Sequence, residues 1–316
     1  MLLYIGRGLR FGSVLCLSLL TAGWVAPAMA QVKLEPKFEE GRKTVTHTTL
    51  KLKQTLTLAG MAQETESDRF VINSTQAGKR DADGKIRIET TTEKLTVNLK
   101  IQGINITFDS DDPNKKAENP LLEPLLQTLR VAAKAKPVLV RDKSGKVVAV
   151  EGLDKVAEEA PAELRGDFNE EQLKKNANQE LDLLPAEPVK AGDTWTKTAE
   201  IPLGGWQTMS VTSDYKYVGE VKEGDKSYDK IEAKNTAISL AIADNPNAQV
   251  KIRLTKSELK PEDSGSTLLF DRTAGQVQSN KGKLHVVGEL ELEINGMAFP
   301  GKLDLTIESE TVRQPQ

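Results

Sequence analysis

The stretch that decides the fold is residues 86–108, IRIETTTEKLTVNLKIQGINITF. Apolar and polar side chains alternate along it, which is the two-residue period of a strand with one buried face. The buried parity changes twice, once after Thr92 and again at Gly103. The second change indicates either a bulge in one long curved strand or a tight turn at Gln102-Gly103. The stretch therefore predicts antiparallel sheet with one face exposed to water.

Strand patterns continue on both sides of this stretch. Leucines of one parity alternate with lysine and threonine over residues 50–58, and alternation returns over residues 194–312. Residues 44–166 and 167–316 each combine several antiparallel strands with a short hairpin whose turn runs from Asp to Gly. This common organisation predicts two related β-rich halves, preceded by a flexible N-terminal segment at 31–43.

Two helical regions interrupt the strands. Asn119-Pro120 is a typical helix start, and leucines at helical spacing follow over residues 121–129. A second helical region is predicted over residues 153–184. The Leu-rich helix is interpreted as a helix that covers the sheet, with a movable lid over a lipid cavity as the alternative. The expected fold class is thus α+β, with long twisted antiparallel sheets in two related halves and helices covering a concave face.

The first thirty residues have the pattern of a signal peptide. Arg7 and Arg10 precede a short apolar run, and Ala28-Met29-Ala30 is a small-x-small cleavage pattern. We expect cleavage after Ala30 and a periplasmic or secreted location. No later window is apolar enough to predict a membrane-spanning segment.

Composition argues against several classes of function. Without the leader the chain has 41 basic and 46 acidic side chains, a net charge of −5, which disfavours a nucleic-acid partner. The one cysteine, Cys16, lies in the leader, so no disulfide or cysteine-linked lipid anchor is expected. Aromatic residues make up 4% of the chain, too few for the stacking surfaces that carbohydrates and single strands require. No cofactor-binding motif is present, and we expect no cofactor.

Few residues are candidates for chemistry. His47 and His285 are the two histidines, and they lie far apart in sequence. A catalytic or zinc pair requires that the fold bring them together, so we interpret them as histidines of strand surfaces. A hydrolase-type enzyme is therefore the third and least favoured hypothesis, and no catalytic or metal-binding residue is assigned.

One acidic cluster is a candidate metal site. The cluster Asp109-Ser110-Asp111-Asp112 offers hard oxygen ligands for Ca²⁺, but it lacks the spacing of an EF-hand loop. We interpret it as a turn in which Asp side chains bond the backbone.

Trp195 is interpreted as a packing residue at the start of a sheet, with a place at a binding mouth as the alternative.

Several short motifs occur in order over residues 44–280. They are Phe108-Asp109-Ser110, the hairpin Asp142–Gly145 with Gly152, Leu184-Pro185 before Gly192-Asp193-Thr194-Trp195, and Phe270-Asp271 with Gly275. Together they resemble an uncharacterised secreted bacterial envelope family, a domain of unknown function common in planctomycete-like genomes. The resemblance implies a secreted, β-rich protein and no known activity.

These observations favour an exported, non-catalytic protein. Because a curved sheet with a helix against its hollow resembles periplasmic lipoprotein carriers, the first hypothesis is a carrier of an apolar or lipid-like ligand. The alternative is a structural or protein-interaction module of the envelope, which would expose sheet edges or an apolar patch. The expected partner is an apolar small molecule or an envelope protein; the pattern predicts neither its identity nor the oligomeric state.

Overall fold

The computed structural model describes residues 31–114, 116–117, 119–159, 170–204, 207–243 and 251–314. The predicted leader (1–30) and the predicted boundary between the halves at 166/167 lie outside the described residues. Residues from Gln31 onward form one compact unit.

Most of the described chain is β-strand. The strands are Lys43–Leu58 (β1), Met61–Arg80 (β2), Ile86–Ile101 (β3), Ile104–Asp109 (β4), Val138–Arg141 (β5), Val147–Glu151 (β6), Thr194–Gly204 (β7), Gln207–Glu223 (β8), Lys226–Ile242 (β9), Ile252–Pro261 (β10), Gly265–Asp271 (β11), Gln276–Ile294 (β12) and Met297–Arg313 (β13).

These strands form one antiparallel sheet. Its order is β6-β5-β3-β2-β1-β13-β12-β11-β9-β8-β7, with β4 paired to β3 and β10 paired to β12. The first and last strands lie side by side, with Leu52 opposite Ile307. The N-terminal and C-terminal parts of the chain therefore share one continuous sheet.

The expected α+β fold in two related halves, with helices covering a concave face, is wrong. The helices in the described residues are few and short: α1 (Glu123–Lys134), α2 (Leu153–Glu159) and α3 (Glu170–Asp182), with one 3-10 turn at Pro120–Leu122 before α1. The largest apolar cluster consists entirely of strand residues. Periodicity shows which face of a strand is buried, but it does not show whether a helix or another part of the sheet buries it.

The sheet curls so that its apolar face packs against itself. On this inner face, Leu52 on β1 lies beside Ile307 on β13, which lies beside Leu284 on β12. Further along the sheet, Met209 and Val211 on β8 belong to the same buried cluster as Leu284. Between bulges, side chains of one parity therefore face inward along each strand, and side chains of the other parity form an outer face rich in lysine and glutamate.

Residues 86–108 form β3 and β4, which pair antiparallel with each other, and β3 pairs antiparallel with β2. The prediction of antiparallel sheet for this stretch is confirmed. A register shift between Ile72 and Asn73 of β2 leaves Glu93 of β3 as the extra residue, which accounts for the first change of parity. The second change is the tight turn, because Gln102 and Gly103 have φ of 48° and 83° and Ile101 pairs with Ile104. These dihedral angles match a two-residue hairpin turn, in which both central residues have positive φ.

Helix α3 joins the two edge strands of the sheet. The side-chain amide of Asn178 accepts a hydrogen bond from Val147 N at 2.8 Å and donates one to Val147 O at 3.1 Å, both on β6. Gln179 Oε1 accepts a hydrogen bond from Glu200 N on β7 at 2.7 Å. Amide side chains of one helix thus satisfy backbone groups of both edges, which would otherwise be free to pair with another chain.

The N-terminal segment at 31–43, which the sequence predicts to be flexible, makes specific contacts with the rest of the fold. Val32 and Val189 exchange two backbone hydrogen bonds of 2.8 Å, and the Leu34 side chain is 3% exposed. Lys37 N donates to Gly275 O in the turn between β11 and β12. Isolated apolar residues in a polar segment have no periodicity, so the sequence pattern does not reveal this packing.

No helix of the described residues has both the length and the apolar character needed to cross a membrane.

We predict that Gly288→Ala lowers the free energy of unfolding by about 2 kcal/mol, because overpacked sites typically cost about 1–3 kcal/mol. Gly288 lies on β12 against β10 with φ of 154°, and an added Cβ would lie 2.9 Å from Leu259 Cα and closer still to the Glu258 carbonyl oxygen. The free energy of unfolding in urea measures this effect. Gly78→Ala is the control, since its Cβ would meet only Arg87 O at 3.4 Å. Equal stability of the two variants would contradict the prediction.

Candidate functional site

The candidate site is the apolar inner face of the sheet around one buried cluster, which we call the cleft. Its buried centre lies on β8, β12 and β13, where Met209 and Val286 are 0% exposed and Leu305 is 2% exposed. Around this centre lie half-buried apolar side chains of β1, β7, β9, β10, β12 and β13. They are Leu52, Leu56, Leu58, Ile201, Leu203, Ile238, Leu240, Ile242, Leu254, Leu259, Ile294 and Ile307.

A polar band crosses the inner face beside this cleft. Thr48 and Thr311 hydroxyls lie 3.1 Å apart, and Ser213 Oγ donates to Asn235 Oδ1 at 2.8 Å. The neighbour of Thr311 on β12 is Asn280, whose Oδ1 is buried without a hydrogen-bond partner. A buried amide oxygen without a partner is uncommon, because its desolvation is not compensated.

A third zone, beyond the polar band, contains a stacked pair of aromatic side chains. Trp195 stacks on Tyr215 with ring centroids 5.7 Å apart, and its Nε1 donates to Leu183 O at 2.9 Å. The pair packs against a buried cluster that includes Leu34 and Phe270. Trp195 also lines a surface recess of about 680 Å³ formed by residues 185–189 and 192–197. It therefore combines a packing contact with a place at a recess.

Asp229, in the same zone, is a buried carboxylate that sequence reasoning missed. Its side chain is 2% exposed and pairs with Arg272, whose Nε donates to Oδ2 at 2.9 Å. Tyr217 Oη donates to Asp229 Oδ1 at 2.6 Å. Burial raises the pKa of Tyr217 far above its usual value, and the adjacent carboxylate raises this pKa further. The phenol therefore stays protonated and serves as a donor that ties β8 to β9.

The structure does not bring the two histidines together. His47 lies across β13 from Ser279 on β12, which is six residues from His285 and therefore roughly 20 Å away along the strand. His47 makes an edge contact with Phe70, while His285 Nε2 lies 3.1 Å from Asp304 Oδ1. The hydroxyl beside His285, that of Ser264, bonds backbone groups and not the imidazole. The arrangement required by the hydrolase hypothesis is absent from these residues.

The acidic cluster at 109–112 forms a turn after β4. Asp109 Oδ1 accepts a hydrogen bond from Asp111 N at 3.0 Å, which is the backbone-bonding role expected for Asp in a turn. Lys94 Nζ lies 2.5 Å from an Asp111 carboxylate oxygen and 3.8 Å from Asp109. Among the described residues, no group of three or more His, Cys, Asp or Glu side chains is placed to hold a metal ion.

The outer face carries a polar groove of about 850 Å³. Side chains of opposite charge alternate along it, for example Lys281 beside Glu310 and Lys283 beside Glu308. This alternation balances the charges within the groove itself.

Arg69 on β2 is the second functional candidate that sequence reasoning missed. It lies between Leu50 on β1 and Val97 on β3, both on the inner face. The side chain is exposed, yet burial by the surrounding protein lowers the pKa of Arg69. Both facts fit a position beside apolar side chains of the inner face, which desolvate the guanidinium without covering it. In the sequence, Arg69 is one charged residue in a polar stretch, so no signal marks it.

One family model matches the middle of the chain. Residues 83–225 match DUF6263, a family of unknown function. The match confirms the resemblance to an uncharacterised domain, and it extends from the turn before β3 to the turn after β8. No curated protein matches the chain.

Solved structures with partial likeness include lipovitellin, in a study of its lipid–protein interactions, at 8% identity and a TM-score of 0.42. The likeness covers 88% of this chain but 26% of lipovitellin, so the chain spans about a quarter of that protein. DynF from the dynemicin biosynthesis pathway of Micromonospora chersina is 7% identical with a TM-score of 0.18, covering 89% of this chain and 85% of DynF. The translocator domain of autotransporter NalP from Neisseria meningitidis is 8% identical with a TM-score of 0.21, covering 87% and 89% of the two chains. At these TM-scores none of the likenesses carries an argument.

We predict that Arg272→Met costs more stability than Asp229→Asn. Removing the arginine leaves a buried carboxylate without its cation, whereas removing the carboxylate charge leaves an arginine whose side chain is 41% exposed. We expect about 3 kcal/mol for Arg272→Met, at the low end for a buried pair because Arg272 is partly screened by water, and about 1 kcal/mol for Asp229→Asn.

Urea unfolding of the two variants, followed by circular dichroism, measures the difference. Arg272→Lys is the matched control, since it keeps the positive charge and should fall between wild type and Arg272→Met. A larger loss of unfolding free energy for Asp229→Asn than for Arg272→Met would contradict this prediction.

Proposed function

We propose that this protein binds an apolar, lipid-like molecule in the inner cleft without catalysing a reaction on it. The single observation that carries this proposal is the partial exposure of twelve apolar side chains arranged around the eight buried members of one cluster. They share the inner face of the sheet and converge on Met209 and Val286.

Partial exposure of so many neighbouring apolar groups is costly. Each square ångström of apolar surface left in water forgoes about 25 cal/mol, and soluble proteins seldom leave large contiguous apolar patches exposed. The surface recess at residues 185–197 and the outer groove have polar or mixed linings. An aliphatic ligand that lies between the cleft walls would cover the half-buried leucines and isoleucines and recover this free energy.

The place of action belongs to the same proposal. The leader pattern at residues 1–30 supports an exported protein that acts in the periplasm or outside the cell. An aliphatic molecule crossing an aqueous compartment needs a protein that shields it from water, because its own exposure to water is unfavourable.

We predict that the double variant Leu56→Gln/Leu240→Gln weakens binding of the neutral fluorescent probe N-phenyl-1-naphthylamine by about 30-fold, since two losses of roughly 1 kcal/mol add to roughly 2 kcal/mol. Each change replaces a half-buried apolar contact, and losing half the burial of a leucine costs roughly 1 kcal/mol. Leu56 on β1 and Leu240 on β9 both pack against the buried cluster. Fluorescence titration measures the dissociation constant.

The control for this experiment is Val218→Gln, because Val218 lies on β8 and is already 36% exposed. It should leave probe affinity unchanged. If wild type fails to bind the probe, or if the double variant binds it as tightly as wild type, the cleft is not a binding site for apolar molecules.

A different observation favours a second candidate function, that of a module that contacts an envelope protein. Exposed apolar side chains lie at hairpin ends on one end of the sheet, including Met61 at 69% and Met297 at 62% exposure. Ile104 at 46% and Ile252 at 41% lie at the same end, since Ile104 follows the β3–β4 turn and Ile252 pairs with Ile294 beside the β12–β13 turn. Such a rim fits a protein-contact surface.

We predict that a photo-crosslinking residue at position 297 traps one dominant partner protein in intact cells. The same residue at position 148, an exposed valine at the opposite end of the sheet, should trap none. Gel analysis with mass spectrometry of the crosslinked band provides the measurement. A chain that stays uncrosslinked at position 297 would remove this second candidate.

A further inference from the structure

We propose that Arg69 recognises an anionic head group, so that the ligand of the cleft is an amphiphile with one phosphate or carboxylate on an aliphatic tail. This inference rests on the proposed function, since it names the class of molecule that the cleft binds.

The position of Arg69 follows from the strand register. Its neighbours on the inner face are Leu50 on β1 and Val97 on β3, with Ser67 and Val71 on its own strand. Val71 and Val97 are buried in the cluster under helix α1, and β1 carries the leucines of the cleft. Arg69 therefore lies between the packed cluster under α1 and the half-open cleft.

The guanidinium of Arg69 has no hydrogen bond or ion pair with any described residue. The other eight arginines in the described ranges have at least one interaction each. An unpaired arginine is ordinary on an outer surface, where water solvates it fully. It is unusual on the inner face of a curled sheet, where burial lowers the pKa of Arg69.

The acidic groups closest in sequence to Arg69 point to the outer face. Glu66 and Asp68 have the opposite parity on β2, and Glu308 and Glu310 have the outer parity on β13. By the same parity rule β1 presents threonine, leucine and Gln54 to the inside. The positive charge of Arg69 is therefore not balanced by a carboxylate on the inner face of β1, β2 or β13.

A second basic side chain shares this face. Lys197 on β7 pairs with Ser213 on β8 and is half-buried, and no hydrogen bond or ion pair joins it to another described residue. Two cations without acidic partners make the inner face favourable for an anion, because charge attraction is stronger where water is partly excluded.

The surroundings of Arg69 also define an orientation for the ligand. Toward one end of β1 the inner side chains are Thr48, Thr46 and Thr44, and toward the other end they are Leu52, Leu56 and Leu58. A head group at Arg69 would therefore meet hydroxyls on one side while its tail extends over leucines on the other. The distance from Leu50 to Leu58 is roughly 26 Å along the strand, which accommodates a long aliphatic chain.

Arginine suits this role because its planar donors can bind two oxygens of one phosphate or carboxylate. The two head groups share this chemistry, so the experiment uses both. Three probes have the same twelve-carbon tail: dodecyl phosphate, dodecanoate and neutral dodecanol. Isothermal titration calorimetry below the micelle concentration measures the dissociation constants for wild type, Arg69→Gln, Arg69→Lys and a control.

We expect Arg69→Gln to weaken binding of dodecyl phosphate, dodecanoate or both by about 10- to 100-fold, the range for loss of a hydrogen bond to a charged group. Binding of dodecanol should stay unchanged, and Arg69→Lys should retain part of the affinity for the anions. The probe with the larger loss identifies the head group as phosphate or carboxylate. The control is Arg87→Gln, because Arg87 pairs with Glu151 on the outer face of β3 and should not affect any probe.

Two results would overturn the proposal, and they are distinguishable. If Arg69→Gln binds both anions as wild type does, while all probes bind, the cleft binds apolar tails but Arg69 does not recognise a head group. If wild type binds none of the three probes, the proposed function itself fails. Circular dichroism and urea unfolding of Arg69→Gln confirm that a loss of affinity does not arise from unfolding, which is not expected at an exposed side chain.

Discussion

The packing of β8 against β12 and β13 is the interaction on which the rest of the structure depends. Met209 and Val211 on one wall and Val286 and Leu305 on the other are almost fully buried against a common centre. Each such side chain contributes roughly 1.5–3 kcal/mol when it leaves water, so together they outweigh the tendency of a wide sheet to stay open. The same curvature accompanies the closure at the edges, where helix α3 bonds both β6 and β7.

The same bend produces the candidate site. Where the two walls meet, the apolar cluster is closed, and away from that contact the side chains of β1, β7, β9 and β10 keep part of their surface in water. The charged residues are arranged in the opposite way, since glutamate and lysine of the outer face pair with each other across the strands. Arg69 is the exception, because its parity directs it inward, where β1 and β13 provide no carboxylate. The packed core and the candidate site therefore arise from one feature, the separation of side chains by parity on a curled sheet.

Prediction from the sequence succeeded where a local pattern carries the information. The alternation over residues 86–108 specified antiparallel strands, and Gly103 marked the turn, because positive φ favours glycine. The leucines of residues 121–129 specified a helix, and it packs through Leu126 and Leu129 against β3 and β4. Prediction was wrong about the fold class, because what covers an apolar face depends on partners distant in the chain. It also missed Arg69 and Asp229, because the surroundings of each side chain are formed by residues on other strands.

By itself, the sequence determined which segments are strands, which face of each strand is apolar, and that the described chain has no cysteine with which to hold a fold together. Those properties follow from the two-residue period and from composition, both of which are local. Only the tertiary structure decided that the strands form one sheet, that the sheet packs against itself, and that an unpaired arginine faces an apolar cleft. The physical reason is that curvature and pairing between β1 and β13 join residues more than two hundred positions apart, and no local pattern specifies such contacts.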